Sequence, residues 1–219
     1  VGAEFNDTSS FTAGAAYLKF GPVHGTVELA DADVVLHGIE GDHQVGRAVG
    51  GAGDVNGDGV DDFMIGALSS ECDLVYGFFG PPSSDLTLSQ ASWLISGGEN
   101  CGTSGPANFG SNPTAVGDVD GDGIDDVLLG SPYEENDFGA DGTPRAILLL
   151  GPLDGSISLE SEAHQFQLSS PPEAELFGKA LAGGYDLDGN GLSDVVVGAP
   201  ADEYGDSSWI GAVYVYTDL

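Results

Sequence analysis

Three stretches of this chain are nearly the same sequence, and they constrain its fold more than any other feature. The copies are GDVNGDGVDDFMIGA at Gly53–Ala67, GDVDGDGIDDVLLGS at Gly117–Ser131 and YDLDGNGLSDVVVGA at Tyr185–Ala199. Counted from the first Asp, each copy has oxygen-bearing side chains at positions one, three, five and nine, Gly at position six and an apolar residue at position seven. Alternating carboxylates around a glycine turn predict a loop that wraps a divalent cation.

The predicted ligands are the side-chain oxygens of positions one, three, five and nine and the backbone carbonyl of position seven. Ca²⁺ prefers such oxygens, taking six to eight of them at about 2.3–2.6 Å. The Gly at position six is expected to adopt positive φ, and the position-seven side chain to turn inward. The sequence therefore predicts three Ca²⁺ sites: Asp54, Asn56, Asp58, Val60 and Asp62 in the first loop, Asp118, Asp120, Asp122, Ile124 and Asp126 in the second, and Asp186, Asp188, Asn190, Leu192 and Asp194 in the third. The second loop, with four carboxylates and no Asn, is expected to bind most tightly.

An EF-hand is the obvious alternative for such loops, but its loop needs a bidentate Glu at position twelve and a helix on either side. Position twelve is apolar in all three copies, where Ile65, Leu129 and Val197 stand. The segments that follow the loops are short apolar runs ended by Gly, which are typical of buried strands. The EF-hand is therefore excluded.

Charge narrows the classes of partner. The chain has 36 acidic and 4 basic residues, a formal net charge of −32. Nucleic acid and anionic membrane surfaces both require clusters of Lys and Arg, so neither is an expected partner. No stretch is long and apolar enough to insert into a membrane. High net charge can also indicate disorder, but the 41% hydrophobic content, arranged in patterned runs, favours a packed core.

Fixed spacings extend the repeat beyond the loops. An apolar-Gly pair precedes the first loop Asp by nine residues in each copy, at Val45-Gly46, Phe109-Gly110 and Phe177-Gly178. A third apolar run follows each copy, and a fourth, more polar run follows the first two. Four strands per unit, with a cation loop between the first two, predict an all-β fold made of β-propeller blades.

The order of these elements is specific. An apolar-Gly pair, a calcium loop, Gly-Ala-Pro at Gly198–Pro200 and the strand Gly211–Tyr216 together resemble the FG-GAP repeat of integrin α-subunit β-propellers. The resemblance covers essentially the whole chain. Departures are Val45 in place of Phe, and Leu68 and Ser131 in place of residues of the Gly-Ala-Pro motif.

The repeat predicts a partial ring of about three to four blades. Residues 1–44 are expected to form a partial blade, 45–108 and 109–176 two complete blades, and 177–219 a blade that lacks its fourth strand. Two explanations stay open: the chain is a fragment of a larger propeller, or chains associate edge to edge.

No catalytic constellation is present, so the chain is not expected to be an enzyme. The resemblance implies an extracellular adhesion or protein-binding module, with ligands on the face opposite the calcium loops. On that face it places aromatics that could contact a basic peptide or a sugar: Tyr133, Phe138, Tyr204 and Trp209, with Phe5. A carbohydrate-binding or hydrolase-associated propeller is the alternative.

Two further features favour an extracellular location. Cys72 and Cys101 could form a disulfide in an oxidising compartment. Calcium loops of extracellular modules bind weakly, at about 0.1–1 mM, and would stand mostly empty in the cytosol.

Overall fold

The computed structural model describes residues 1–5, 13–38, 44–68, 73–96, 109–132, 144–158, 165–169, 176–200 and 211–219. Within these ranges the chain forms strands and two 3₁₀ turns, Leu29–Asp31 and Leu88–Gln90, and no α-helix. In chain order the strands are β1 (Gly2–Ala3), β2 (Ala15–Leu18), β3 (Val34–His37), β4 (Ala48–Gly53), β5 (Asp62–Leu68), β6 (Asp73–Phe78), β7 (Leu86–Thr87), β8 (Trp93–Ser96), β9 (Thr114–Gly117), β10 (Asp126–Ser131), β11 (Arg145–Leu149), β12 (Gly155–Ser158), β13 (Gln165–Ser169), β14 (Ala180–Tyr185), β15 (Asp194–Ala199) and β16 (Ala212–Tyr216).

The strands assemble into four small sheets. Their orders are β1-β2-β3-β7, β4-β5-β6-β8-β12, β9-β10-β11-β13 and β14-β15-β16. Neighbouring strands in these sheets are antiparallel, with two exceptions: β7 pairs in parallel with β3, and β12 pairs in parallel with β8. Each of these two short strands thus belongs to one repeat unit by sequence but pairs with the edge of the sheet formed by the preceding unit.

The three repeated loops connect equivalent strand pairs, β4 to β5, β9 to β10 and β14 to β15. In each pair the ladder shifts register just before the loop, for example between Gly51 and Gly53 in the first. The extra residue bends the strand and increases its local twist, as a β-bulge does. The bulge aims the chain into the loop at the same end of each sheet.

Apolar side chains on both faces of the two central sheets pack against neighbouring sheets. In β10, Val127 and Leu129 join a cluster with residues of the second sheet, whereas Leu128 joins a cluster with residues of the fourth. A third cluster joins the first and second sheets through residues such as Leu36 and Ile65. The period of two therefore buries a strand on both of its faces.

In the second and third copies the apolar-Gly pair is hydrogen-bonded to the second strand of its own sheet. Phe109, Phe177 and Val45 are all buried, so Val serves here as the buried residue that Phe provides in the other copies. Gly110 donates a backbone hydrogen bond to Gly130, 2.8 Å, and Gly178 donates one to Gly198, 3.1 Å.

These observations confirm the predicted fold class. The chain is all-β, and its stacked sheets of three to five strands form part of a β-propeller. Among the described residues no helix is long and apolar enough to cross a membrane.

Candidate metal centres

The Asp at position one curls each loop by accepting two amide hydrogen bonds. Asp54 accepts from Asp58, 2.9 Å, and from Gly59, 2.8 Å. In the other two loops the donors are positions four and six: Asp118 accepts from Gly121 and Gly123, and Asp186 accepts from Gly189 and Gly191. Gly59, Gly123 and Gly191 at position six have φ of +87°, +89° and +92°, as expected for the turn.

Positions three and five form short turns on the loop surface. Each side-chain oxygen accepts a hydrogen bond from the amide two residues later. Asp120 accepts from Asp122 at 3.1 Å, and Asp122 accepts from Ile124 at 2.8 Å. The loop amides therefore hold these carboxylates in a curled arrangement.

The Asp at position nine begins the second strand of each pair and is buried. Asp126 accepts hydrogen bonds from the amides of Val119 and Gly151, each 2.8 Å. Asp62 likewise accepts from Val55, 3.2 Å, and Gly80, 2.8 Å. This residue therefore fastens the loop to the third strand of its own sheet.

Asp194 differs from these two residues. Its Oδ2 accepts from the amide of Leu187, but its Oδ1 is buried and has no hydrogen-bond partner among the described residues. Buried carboxylate oxygens are nearly always paired, because an unpaired one keeps its full desolvation cost. A cation in the third loop would remove that cost.

The structure brings positions one, three and nine together in two of the loops. Ligand oxygens lie within 4.8 Å of one another in two groups: Asp118, Asp120 and Asp126, and Asp186, Asp188 and Asp194. In the first loop, where position three is Asn56, the described carboxylates form no such group of three. The position-five residue Asp122 lies outside the group in its own loop.

Burial and neighbouring negative charges raise the pKa of two position-nine carboxylates. Desolvation raises the pKa of Asp126 to about 6; the neighbouring carboxylates of Asp120 and Asp118 also raise it, while the two amide hydrogen bonds act in the opposite sense. Burial likewise raises the pKa of Asp62. A divalent cation beside these groups would favour their ionised forms.

The predicted inward turn of the position-seven side chains is wrong. Val60 is 38% exposed. Ile124 lies against the first loop, with its Cγ1 3.6 Å from where a Cβ on Gly57 would stand, and Leu192 lies against Gly121 of the second loop in the same way. The side chains of Ile124 and Leu192 cover the preceding loop because the sheets are stacked closely enough for successive loops to touch.

The donor set fits a hard cation. All the side-chain atoms that would ligate the ion are carboxylate or amide oxygens. Ca²⁺ prefers such oxygens, whereas zinc prefers nitrogen and sulfur ligands. The buried, unpartnered Oδ1 of Asp194 and the clustered carboxylates both lose their energetic cost once a cation is present. The grouped carboxylates of the second and third loops could hold such an ion.

The residues predicted for the opposite face lie mostly outside the described residues. These are Tyr133, Phe138, Tyr204 and Trp209. Cys72 and Cys101 of the possible disulfide also lie outside the described residues. Phe5 is described and is 65% exposed.

The sequence did not predict a role for position eight of the loops. Asp125 and Ser193 bond to the preceding loop, whereas Asp61 at the same position in the first loop is exposed. The available signal was a polar residue directly before the strand in all three copies. Its contact with another loop became visible only with the stacking of the sheets.

Comparison with known proteins agrees with this architecture. The FG-GAP repeat profile matches residues 109–140 and 177–216. The chain is 33% identical to integrin alpha-5 of Xenopus laevis over 159 residues, covering 68% of this chain and 14% of that protein. It is 33% identical to human integrin alpha-IIb over 190 residues, 80% of this chain and 17% of that protein.

A third relative extends the coverage. Integrin alpha-PS5 of Drosophila melanogaster is 31% identical over 194 residues, 83% of this chain and 17% of that protein. The chain thus spans less than a fifth of the length of each of these three relatives. The matched repeats, the aligned relatives and the stacked sheets agree: the chain is an integrin-α-like FG-GAP repeat protein.

Proposed function

We propose that this chain is part of an extracellular, adhesion-type binding module in which three Ca²⁺ ions stabilise the loops between the first two strands of successive blades. The observation that carries the calcium assignment is the grouping of three carboxylates in the second and third loops. In this proposal the blades are 45–108, 109–176 and 177–219, preceded by the partial blade 1–44, and each ion takes the five predicted ligands of its loop.

Calcium would act mainly as a structural clamp. Its charge would neutralise carboxylates that the fold forces together, and its bonds would fix the loop against the buried Asp at position nine. Calcium at ten to a hundred times its Kd stabilises a folded protein by about 1.4–2.7 kcal/mol per site. Three sites together would contribute a large share of a typical unfolding free energy of about 5–15 kcal/mol.

The adhesion assignment rests on similarity to proteins named as integrin α-subunits, together with the absence of any catalytic constellation in the sequence. The strongly acidic surface favours basic or neutral protein ligands over nucleic acid. Binding is proposed for the face opposite the loops, with the aromatic residues Tyr133, Phe138, Tyr204 and Trp209 as contacts.

The test has two parts. Calorimetric titration of the metal-free chain with Ca²⁺ should find three sites, and Asp120→Ala combined with Asp122→Ala should remove one of them. Immobilised chain should then capture cell-surface proteins in Ca²⁺ and release them in EDTA, whereas a glycan array should stay blank. Calcium-dependent sugar binding without protein capture would favour a carbohydrate-binding propeller. The absence of any calcium binding would contradict the proposal.

A further inference from the structure

The first and second loops are joined by two hydrogen bonds between Asp54 and Asp125. The amide of Asp125 donates to the carbonyl of Asp54, 3.1 Å, and the amide of Asp54 donates to Oδ2 of Asp125, 2.9 Å. Both backbone polar groups of Asp54 are thus held by Asp125. Asp54 is position one of the first loop, the residue whose carboxylate receives the amides of Asp58 and Gly59.

Close packing surrounds this joint. A Cβ added to Gly53 would stand 2.2 Å from Oδ2 of Asp125, so only glycine leaves room for the approach. Gly53 also has φ of +74°, which glycine adopts without strain. The next residue along, Val55, accepts a hydrogen bond from Leu153 at 2.9 Å. The start of the first loop is therefore seated on the second loop and its sheet.

Asp125 also lies between two predicted ligands of the second loop. Ile124 would supply its backbone carbonyl and Asp126 its buried carboxylate. Calcium held by these neighbours would immobilise the peptide units on both sides of Asp125. The ordering of Asp125 is then passed to Asp54 through two hydrogen bonds.

The joint between the second and third loops is built differently. The amide of Ser193 donates to the carbonyl of Asp118, 2.9 Å, and a Cβ on Gly117 would stand 2.5 Å from Oγ of Ser193. Position eight thus touches the preceding loop at both joints. Only at the first joint does it carry a charged carboxylate that accepts the position-one amide.

We propose that Asp125 is a positioning residue that couples calcium binding in the first and second loops. This inference rests on the proposed calcium function. Binding in the second loop orders Asp125 and so fixes the backbone of Asp54, and the first loop then loses less conformational freedom when it binds. Because coupling between two sites is reciprocal, the first ion favours the second to the same degree. Repulsion between the two ions acts in the opposite direction and is screened at physiological salt.

The test measures the coupling factor directly. In a background where Asp188→Ala and Asn190→Ala disable the third loop, three chains are titrated with Ca²⁺ by calorimetry. One keeps both remaining loops, one keeps only the first, and one keeps only the second. The product of the two macroscopic association constants of the first chain, divided by the product of the single-loop constants, is the coupling factor. We expect about 10, within the range of about 5–150 typical of coupled sites.

Variants at the joint separate charge from hydrogen bonding. Asp125→Ala removes the acceptor of the Asp54 amide and leaves only the backbone bond to the Asp54 carbonyl, so it should lower the coupling factor severalfold toward 1. Asp125→Asn retains an oxygen that can accept the Asp54 amide, and should keep most of the coupling. Ser193→Ala is the matched control at the other joint and should leave the factor unchanged. Circular dichroism of each variant checks that it folds.

Hydrogen exchange gives a second readout that a merely structural role would not move. In the chain that keeps only the second loop, adding Ca²⁺ should slow exchange of the Asp54 amide, and Asp125→Ala should abolish that slowing. A coupling factor of 1 or less in the unmodified two-loop chain, or one that Asp125→Ala leaves unchanged, would overturn the inference while leaving calcium binding intact. Failure of every chain to bind Ca²⁺ would instead overturn the proposed function and this inference with it.

Discussion

The second and third loops have nearly the same sequence, but the buried Asp at position nine is more completely hydrogen-bonded in the second loop than in the third. In the second, both oxygens of Asp126 are hydrogen-bonded, one of them to Gly151 just after the third strand. In the third, Oδ1 of Asp194 has no partner in the described part of the chain. By strand register, Asp218 occupies the place that Gly151 holds in the second unit.

This difference separates two roles of the position-nine Asp. In the second loop it already acts as a structural latch that fastens the hairpin to the next strand. In the third loop Oδ1 of Asp194 lacks the amide donor that Asp126 has in the second loop. A bound cation would stabilise that oxygen instead. The third loop compensates in part elsewhere, since Nδ2 of Asn190 donates to the carbonyl of Thr217, 3.1 Å.

The largest expected effect comes from removing the latch itself. In EDTA, where calcium ligation contributes nothing to either variant, Asp126→Ala should lower the free energy of unfolding by about 2–6 kcal/mol, because it leaves two buried amides without an acceptor. Asp194→Ala should cost about half as much, since only the Leu187 amide loses its acceptor. Urea unfolding of the two variants measures the difference. Equal losses would show that the two residues do the same work.

Exchanging the position-five residues should partly exchange the two affinities. Asp122→Asn should weaken calcium binding in the second loop by about 3- to 10-fold, because it removes one ligand charge. Asn190→Asp should strengthen the third loop by less, since it also removes the hydrogen bond to Thr217. Titration of chains that keep a single loop resolves the two values. An unchanged second-loop affinity would place position five outside the coordination sphere.

The smallest effect concerns that surface hydrogen bond alone. In EDTA, Asn190→Ala should lower the free energy of unfolding by about 0.5–1 kcal/mol through loss of the bond to Thr217. Asp122→Ala is the matched control in the second loop and should change it by less. Chemical denaturation of both variants in EDTA makes the comparison, and a larger loss in the control would contradict it.

Much of the architecture could be read from the sequence because its determinants are local. The short apolar runs ended by Gly after each loop predict the strands β5, β10 and β15, and the glycine at position six predicts the turn. The short strands β7 and β12 were not predicted, since segments such as Leu86–Thr87 have no periodic pattern and pair only with a neighbouring sheet. Their structure is set by the stacking of one sheet on the next.

The same distinction between local sequence and sheet packing applies to the candidate metal centres. Side chains that act within one loop, such as Asp118 and Asp120, come together where spacing alone places them. Side chains that act between loops could not be predicted this way. Ile124 covers Gly57 instead of turning inward, and Asp125 holds Asp54, because contacts across about seventy residues depend on how the sheets pack.

The claim that calcium clamps these loops is tested most directly by melting the unmodified 219-residue chain in Ca²⁺ and in EDTA. Three occupied sites should together contribute about 4–8 kcal/mol. For a chain of this size that corresponds to a melting temperature about 10–30 °C lower in EDTA, with recovery when Ca²⁺ is restored. An identical melting temperature in the two conditions would contradict the account.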